Sequence, residues 1–172
     1  MIGLPEATEA APYYSTYIQR ITNPDIVREL ESQLEPSLAL FARISEEKSL
    51  HRYAPEKWSI REALSHVTDT ERVFAYRALW FARGFHDALA SFDQNIAVAG
   101  AQADRLPWSA HVEEFRRVRL ATISLYRNLP DDAWMRSGLA SGNPVTVRAL
   151  AFIIAGHLAH HIAMFREKYG IA

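Results

Sequence analysis

The chain reads as an all-α protein, a four-helix bundle with long connections between helices two and three and between helices three and four. Three observations carry this expectation. Apolar residues recur at helical spacing in four long segments. No segment alternates convincingly with the period of two that a half-buried strand requires. Of the 172 residues, 49% are apolar, enough for one buried core without covalent staples.

Residues 1–22, rich in Ala, Pro and Tyr, form an N-terminal arm expected to lie over the body, and residues 23–172 form a single domain. Asn23-Pro24 reads as the N-cap and first position of helix one. Its apolar positions are Ile26, Val27, Leu30, Leu34, Leu38, Phe41 and Ile44, with Pro36 as a kink or break. Ser59-Ile60-Arg61-Glu62 is a capping box, so serine and glutamate satisfy the first free amides of helix two. That helix runs to about Arg83, where Gly84 is available as its cap. Phe85 to Pro107 has no sustained period and reads as a long loop with about one helical turn. Loops of that length are usually functional or covering elements. Helix three is expected from Ser109 to Asn128, and a connection from Pro130 to Pro144 follows with the Asn143-Pro144 turn signal. Helix four spans Thr146 to Tyr169, with Gly170 past its end.

Composition excludes several classes of function. The absence of cysteine removes a disulfide scaffold, a thiolate zinc site and an enzymic thiol nucleophile. Nineteen basic residues balance twenty acidic ones, so there is no electrostatic footprint for nucleic acid or an anionic membrane. The opening MIGLPEATEAAPYY lacks a basic region and an apolar core, and the best apolar run, Ala149–Gly156, stops at His157. A cytoplasmic protein is the expectation, either a monomer or a two-fold homodimer rather than a filament or larger ring.

Three of the seven histidines crowd into Gly156-His157-Leu158-Ala159-His160-His161. His157 and His161 are four apart and share a helix face flanked by Leu150, Ile153, Ile154, Leu158 and Phe165. Buried imidazoles need partners, and one divalent metal supplies both at once. Taken alone, the pair reads equally as a chelate or as two hydrogen-bonded histidines. Helix two carries His66, which a bundle can bring to the same point. Three neutral imidazoles with an open position form the ligand set of catalytic zinc sites. Neither the His-Glu-x-x-His nor the Glu-x-x-His metal motif occurs.

Tyr53-Ala54-Pro55-Glu56-Lys57-Trp58-Ser59-Ile60, with His66 eight residues after Trp58, together with Gly156 to His161, resembles the two signatures of the DinB/YfiT-like superfamily. The resemblance implies a four-helix bundle holding zinc or nickel on His66, His157 and His161. It also implies a small-molecule substrate and a low-molecular-weight thiol as cosubstrate, since members include thiol-dependent S-transferases and a maleylpyruvate isomerase.

Other side chains are weighed against plainer roles. His160 is rotated off the shared face and reads as partly exposed rather than as a fourth ligand. Asp69, three residues after His66, is a candidate to orient an imidazole or act as a base, against a solvated charge. Asp93 and Asn95 lie in the long loop, from which they would roof the site. Arg116, Arg117 and Arg119 after Glu113 and Glu114 read as a solvated helix face. The competing functions are thiol transfer, metal-dependent hydrolysis, a non-catalytic metal-binding stress protein and a purely structural bundle.

Overall fold

Helix one is broken one turn before its proline. In the computed structural model, which describes residues 2–172, α1 (Ser15–Ile18) precedes α2 (Ile26–Ser32) and α3 (Leu34–Phe41), which meet at Gln33. Pro36 has no N–H for the Ser32 carbonyl and its ring crowds that position, so the helix restarts with the proline in its first turn. The start also differs from the sequence reading. Asp25 caps α2 by accepting from the Arg28 amide at 3.1 Å, while Asn23 accepts from the Asp25 amide at 3.0 Å and Pro24 stays outside the helix.

α4 (Ile60–Ala82) begins at the predicted capping box, with the Ser59 hydroxyl on the Glu62 amide and the Glu62 carboxylate on the Ser59 amide. Gly84 follows it with φ +85°, a conformation that glycine adopts without a Cβ penalty. The loop beyond holds more helix than expected. Asp93 accepts from the Asn95 and Ile96 amides and starts α5 (Gln94–Ala101). α6 (Trp108–Arg127) and α7 (Val147–Glu167) complete the bundle, α7 being capped by the Thr146 hydroxyl on the Ala149 amide.

The expectation of no sheet fails in one place. β1 (Ser137–Ala140) and β2 (Asn143–Thr146) form an antiparallel hairpin, pairing Ser137 with Thr146 and Ala140 with Asn143. Leu89 adds a parallel bridge to Ala140, which ties the loop after α4 to the hairpin.

α4 packs against both α6 and α7, and α2 and α3 close the other side. One apolar cluster lies around Phe74, Phe81, Ile123, Phe152 and Ile153, and a second around Phe41, Leu64, Trp108, Phe115 and Phe165. α7 is long and apolar enough to cross a membrane by length and composition, and 67% of its most apolar window is buried within the bundle. Its hydropathy therefore reflects its place as the central helix.

The arm is seated on that helix. Met1, its first residue, lies outside the described residues, and α1 packs against α7. A Cβ on Gly156 would stand 2.1 Å from the Tyr17 carbonyl oxygen, so only glycine lets the two backbones approach this closely. Glu9 clamps the arm: it accepts from the Thr146 hydroxyl at 2.7 Å and pairs with Arg148.

One correction concerns the basic run of α6. Arg116 and Arg117 pair with Glu113 on an exposed face, as a solvated face requires. Arg119 instead points inward, fully buried against Glu71 of α4 at 2.9 Å and the side-chain Oε1 of Gln33 at 3.0 Å.

Candidate metal centre

Helical phase puts three imidazoles on one spot. His66 lies on the face of α4 that meets α7, and His157 and His161 lie one turn apart on the facing stripe of α7. All three are buried, each 5% exposed. The Nε2 atom of His157 stands 3.2 Å from that of His66 and 3.2 Å from that of His161. One nitrogen from each ring lies within 4.8 Å of the others, and no other group of three potential ligands does so among the described residues.

The electrostatics favour neutral rings. Burial, and next the nearby His160, pushes the His66 imidazole down to about 4. Burial also holds His157 and His161 well below the ordinary histidine range, with neighbouring imidazoles adding to it. A neutral imidazole offers one donor and one acceptor, so three nitrogens aimed at one another cannot all be satisfied among themselves. A cation accepts all three lone pairs. Two nitrogens at about 2.0–2.1 Å from one tetrahedral zinc are themselves about 3.3 Å apart, and the two short separations here match that spacing. The residues present therefore fit a divalent metal.

The groups behind the ligands differ from those weighed in the sequence. The Thr70 hydroxyl stands 3.3 Å from His66 Nδ1 and orients that ring, a position four residues on that helical phase could have revealed. Trp58 tilts over His66 with ring centroids 4.8 Å apart. Asp69 does not reach the site and pairs with Arg72 at 3.0 Å. Glu62 is held by Arg52 and the Ser59 amide. No carboxylate therefore stands among the three imidazoles, and a bound divalent ion would keep its full charge.

His160 stays off the cluster, edge-on to Tyr17 with centroids 5.5 Å apart. Tyr17 also meets the His157 ring at 5.2 Å, a contact that no pattern in the arm announced. Of the two loop candidates, Asp93 serves as the cap of α5, whereas Asn95 lines a cavity beside the histidines.

Two cavities open onto the cluster. One, of about 220 Å³, touches His66 and His157 and runs toward Arg77, Phe92 and Ser141. The other, of about 340 Å³, touches His66 and His161 and is walled by Tyr53, Trp58, Asn95, His160 and Tyr169. Tyr13, Tyr17 and Gln94, like His66, line both cavities.

Fold and site together define a helical bundle with an all-histidine site able to hold one divalent metal. Comparison with known proteins gives the family. The sequence profile of the DinB superfamily matches residues 29–165, and the chain belongs to that superfamily. Among solved structures it is similar to YfiT from Bacillus subtilis, described as a probable metal-dependent hydrolase with an unusual four-helix bundle topology. The TM-score is 0.72 at 15% identity, over 98% of this chain and 94% of that one. It is also similar to the mycothiol-dependent maleylpyruvate isomerase, with a TM-score of 0.70 at 11% identity over 85% of this chain. The match spans 61% of the isomerase, which is the longer chain. At these identities the likeness shows the fold. No curated protein matches the sequence.

Proposed function

We propose that the protein is a metal-dependent enzyme that transfers a low-molecular-weight thiol to a small electrophile, with His66, His157 and His161 as the metal ligands. The observation that carries this reading is the pair of cavities meeting at His66, one for each of two substrates. Hydrolysis of one substrate that spans both cavities is the alternative reading, which the turnover test below separates. Zinc or nickel suits a set of neutral imidazoles. When bound, such an ion supplies a positive charge that lowers the pKa of a thiol, so that the nucleophilic form is available near neutral pH.

The chain's own groups do the rest. Thr70 fixes the ring of His66, and Trp58 and Tyr17 pack on the ligand rings and keep bulk water from their faces. The chain has no cysteine, so the thiol must be a cosubstrate. Asn95 and His160, in the larger cavity, offer polar contacts to it.

The test is turnover of zinc- or nickel-loaded protein with a panel of small thiols and a chromogenic aryl halide. The sulfur–carbon bond forms, the halide leaves and the thiol proton goes to buffer. Activity is expected only with thiol and metal together and is expected to vanish in His161→Ala. Ester or amide turnover without thiol would establish the hydrolase instead, and metal binding with no turnover would leave a binding protein.

A further inference from the structure

Three arginines of this chain are buried, Arg61, Arg77 and Arg119. Two have a carboxylate: Glu46 for Arg61 and Glu71 for Arg119. Arg77, 4% exposed, has none within ion-pair distance among the described residues. A guanidinium cannot shed its charge, and a buried charge without a partner is costly. The question is what completes it.

Its position suggests the answer. Arg77 follows His66 by eleven residues, about three turns, and so lies on the same face of α4. Its guanidinium folds back over the Phe74 ring, 5.5 Å from the centroid, toward the histidines. Nη2 donates to the Ala90 carbonyl at 2.9 Å and to the Ser141 hydroxyl at 3.0 Å, which fixes the group at the far wall of the smaller cavity. Nε and Nη1 donate to nothing among the described residues, and each keeps some accessible surface although the residue is buried. The loop and hairpin that hold Arg77 are themselves joined, since the Leu89 amide donates to the Leu139 carbonyl and the Ser141 amide to the Leu89 carbonyl. The anchor is therefore preorganised.

We propose that Arg77 is the anion-binding residue of this cavity and that the ligand it takes is a small organic carboxylate. The free donors on Nε and Nη1 lie on different edges of the planar guanidinium, and each can give a charge-assisted hydrogen bond to a carboxylate oxygen, which also supplies the counter-charge that Arg77 lacks. A cavity of about 220 Å³ falls below the roughly 300–1,000 Å³ that takes drug-sized ligands, so the molecule is small. The inference rests on the thiol-transfer reading only in placing the electrophile, rather than the thiol, on the Arg77 side. The electrophile then carries its carboxylate away from the histidines and its reacting carbon toward them.

The experiment is calorimetric titration of the full chain, zinc-loaded and chelator-treated, with succinate, neutral succinamide and inorganic phosphate. Succinate is expected to bind both forms, with at least tenfold weaker affinity in Arg77→Gln, a smaller loss in Arg77→Lys, and no binding of succinamide. In the unaltered protein the Nε–H resonance of Arg77 should move as succinate is added, a readout that holds even if the glutamine variant does not fold. Unchanged affinity in a folded Arg77→Gln, or a stationary resonance at saturating succinate, overturns the proposal. Binding of phosphate in preference to succinate overturns the carboxylate assignment. Succinate binding that needs zinc and ignores Arg77 also overturns it while leaving the metal reading intact. Failure to bind zinc would sink the metal reading alone, because the Arg77 signal is read in the chelator-treated protein.

Discussion

The Nε2 atoms of His66 and His157 face each other at 3.2 Å across the α4–α7 interface, although the two residues are 91 apart in sequence. Neither nitrogen has a carboxylate to answer it, and His161 Nε2 crowds the same point.

Removing a ligand should remove the metal. His66→Ala, His157→Ala and His161→Ala are each expected to lose most bound zinc, because two imidazoles cannot hold a divalent ion as three do. His160→Ala should keep it, since that ring packs on Tyr17 outside the cluster. Elemental analysis of the four purified variants decides the matter. Equal loss in all four would mean that the helical face does not select the ligands.

Acid should destabilise the metal-free protein in a defined window. Burial, with His160 adding to it, lowers His66 to about 4, below the roughly 6.5 of an exposed imidazole. The unfolded chain therefore takes up a proton that the folded chain refuses. The resulting stability is complete above about pH 6.5 and is lost as pH falls toward 4, amounting to about 3 kcal/mol for His66 alone. His157 and His161 shift in the same direction for the same cause and extend the loss. Urea unfolding at pH 7.5, 5.5 and 4.5 measures it, and a flat profile would show that the rings are charged or solvated in the folded state.

Gly156→Ala should lower stability even though alanine is the better helix former. Propensity alone favours alanine by up to about 1 kcal/mol in a helix interior. The added Cβ would meet the Tyr17 carbonyl at 2.1 Å, and backbone cannot swing aside as a side chain can. Overpacking of this kind typically costs about 1–3 kcal/mol, and here the arm is the part free to give way. Faster limited proteolysis within residues 2–20, with α4, α6 and α7 still protected, is the expected result. Unchanged cleavage would show that the arm adjusts.

Much of this was legible in the sequence because helical phase is a local property. The Ser59–Glu62 capping box located the start of α4, and the spacing of His157 and His161 put both rings on one face. The hairpin was not legible: its strands are four residues each, and Gly138 and Pro144 lie within them. A reading by period needs more repeats than four residues supply. Asp93 looked like a roof for the site and is a helix cap, because one carboxylate serves either purpose equally well in a polar loop. Arg119 was misread for a different reason. Its partner Glu71 lies 48 residues away on another helix, and nothing in its own neighbourhood separates it from Arg116 and Arg117.

That pair gives the last prediction. Arg119 is 0% exposed, and its guanidinium meets both oxygens of Glu71, with Gln33 and the Leu30 carbonyl taking a further donor. Gln33 sits where α2 gives way to α3 and also donates to the Ala155 carbonyl of α7, so the network joins all four sides of the bundle at the helix break. Arg119→Met leaves the Glu71 carboxylate buried without a counter-charge and should cost about 3–5 kcal/mol. Arg119→Met with Glu71→Leu removes both charges and should recover most of that loss, since a buried ion pair is weakly stabilising against apolar groups of similar volume. Denaturant unfolding of wild type, the two single variants and the double variant closes the cycle. The expected coupling is large and favourable. Additive losses would mean that water already reaches the pair and that the break at Gln33 is held by Pro36 and packing alone.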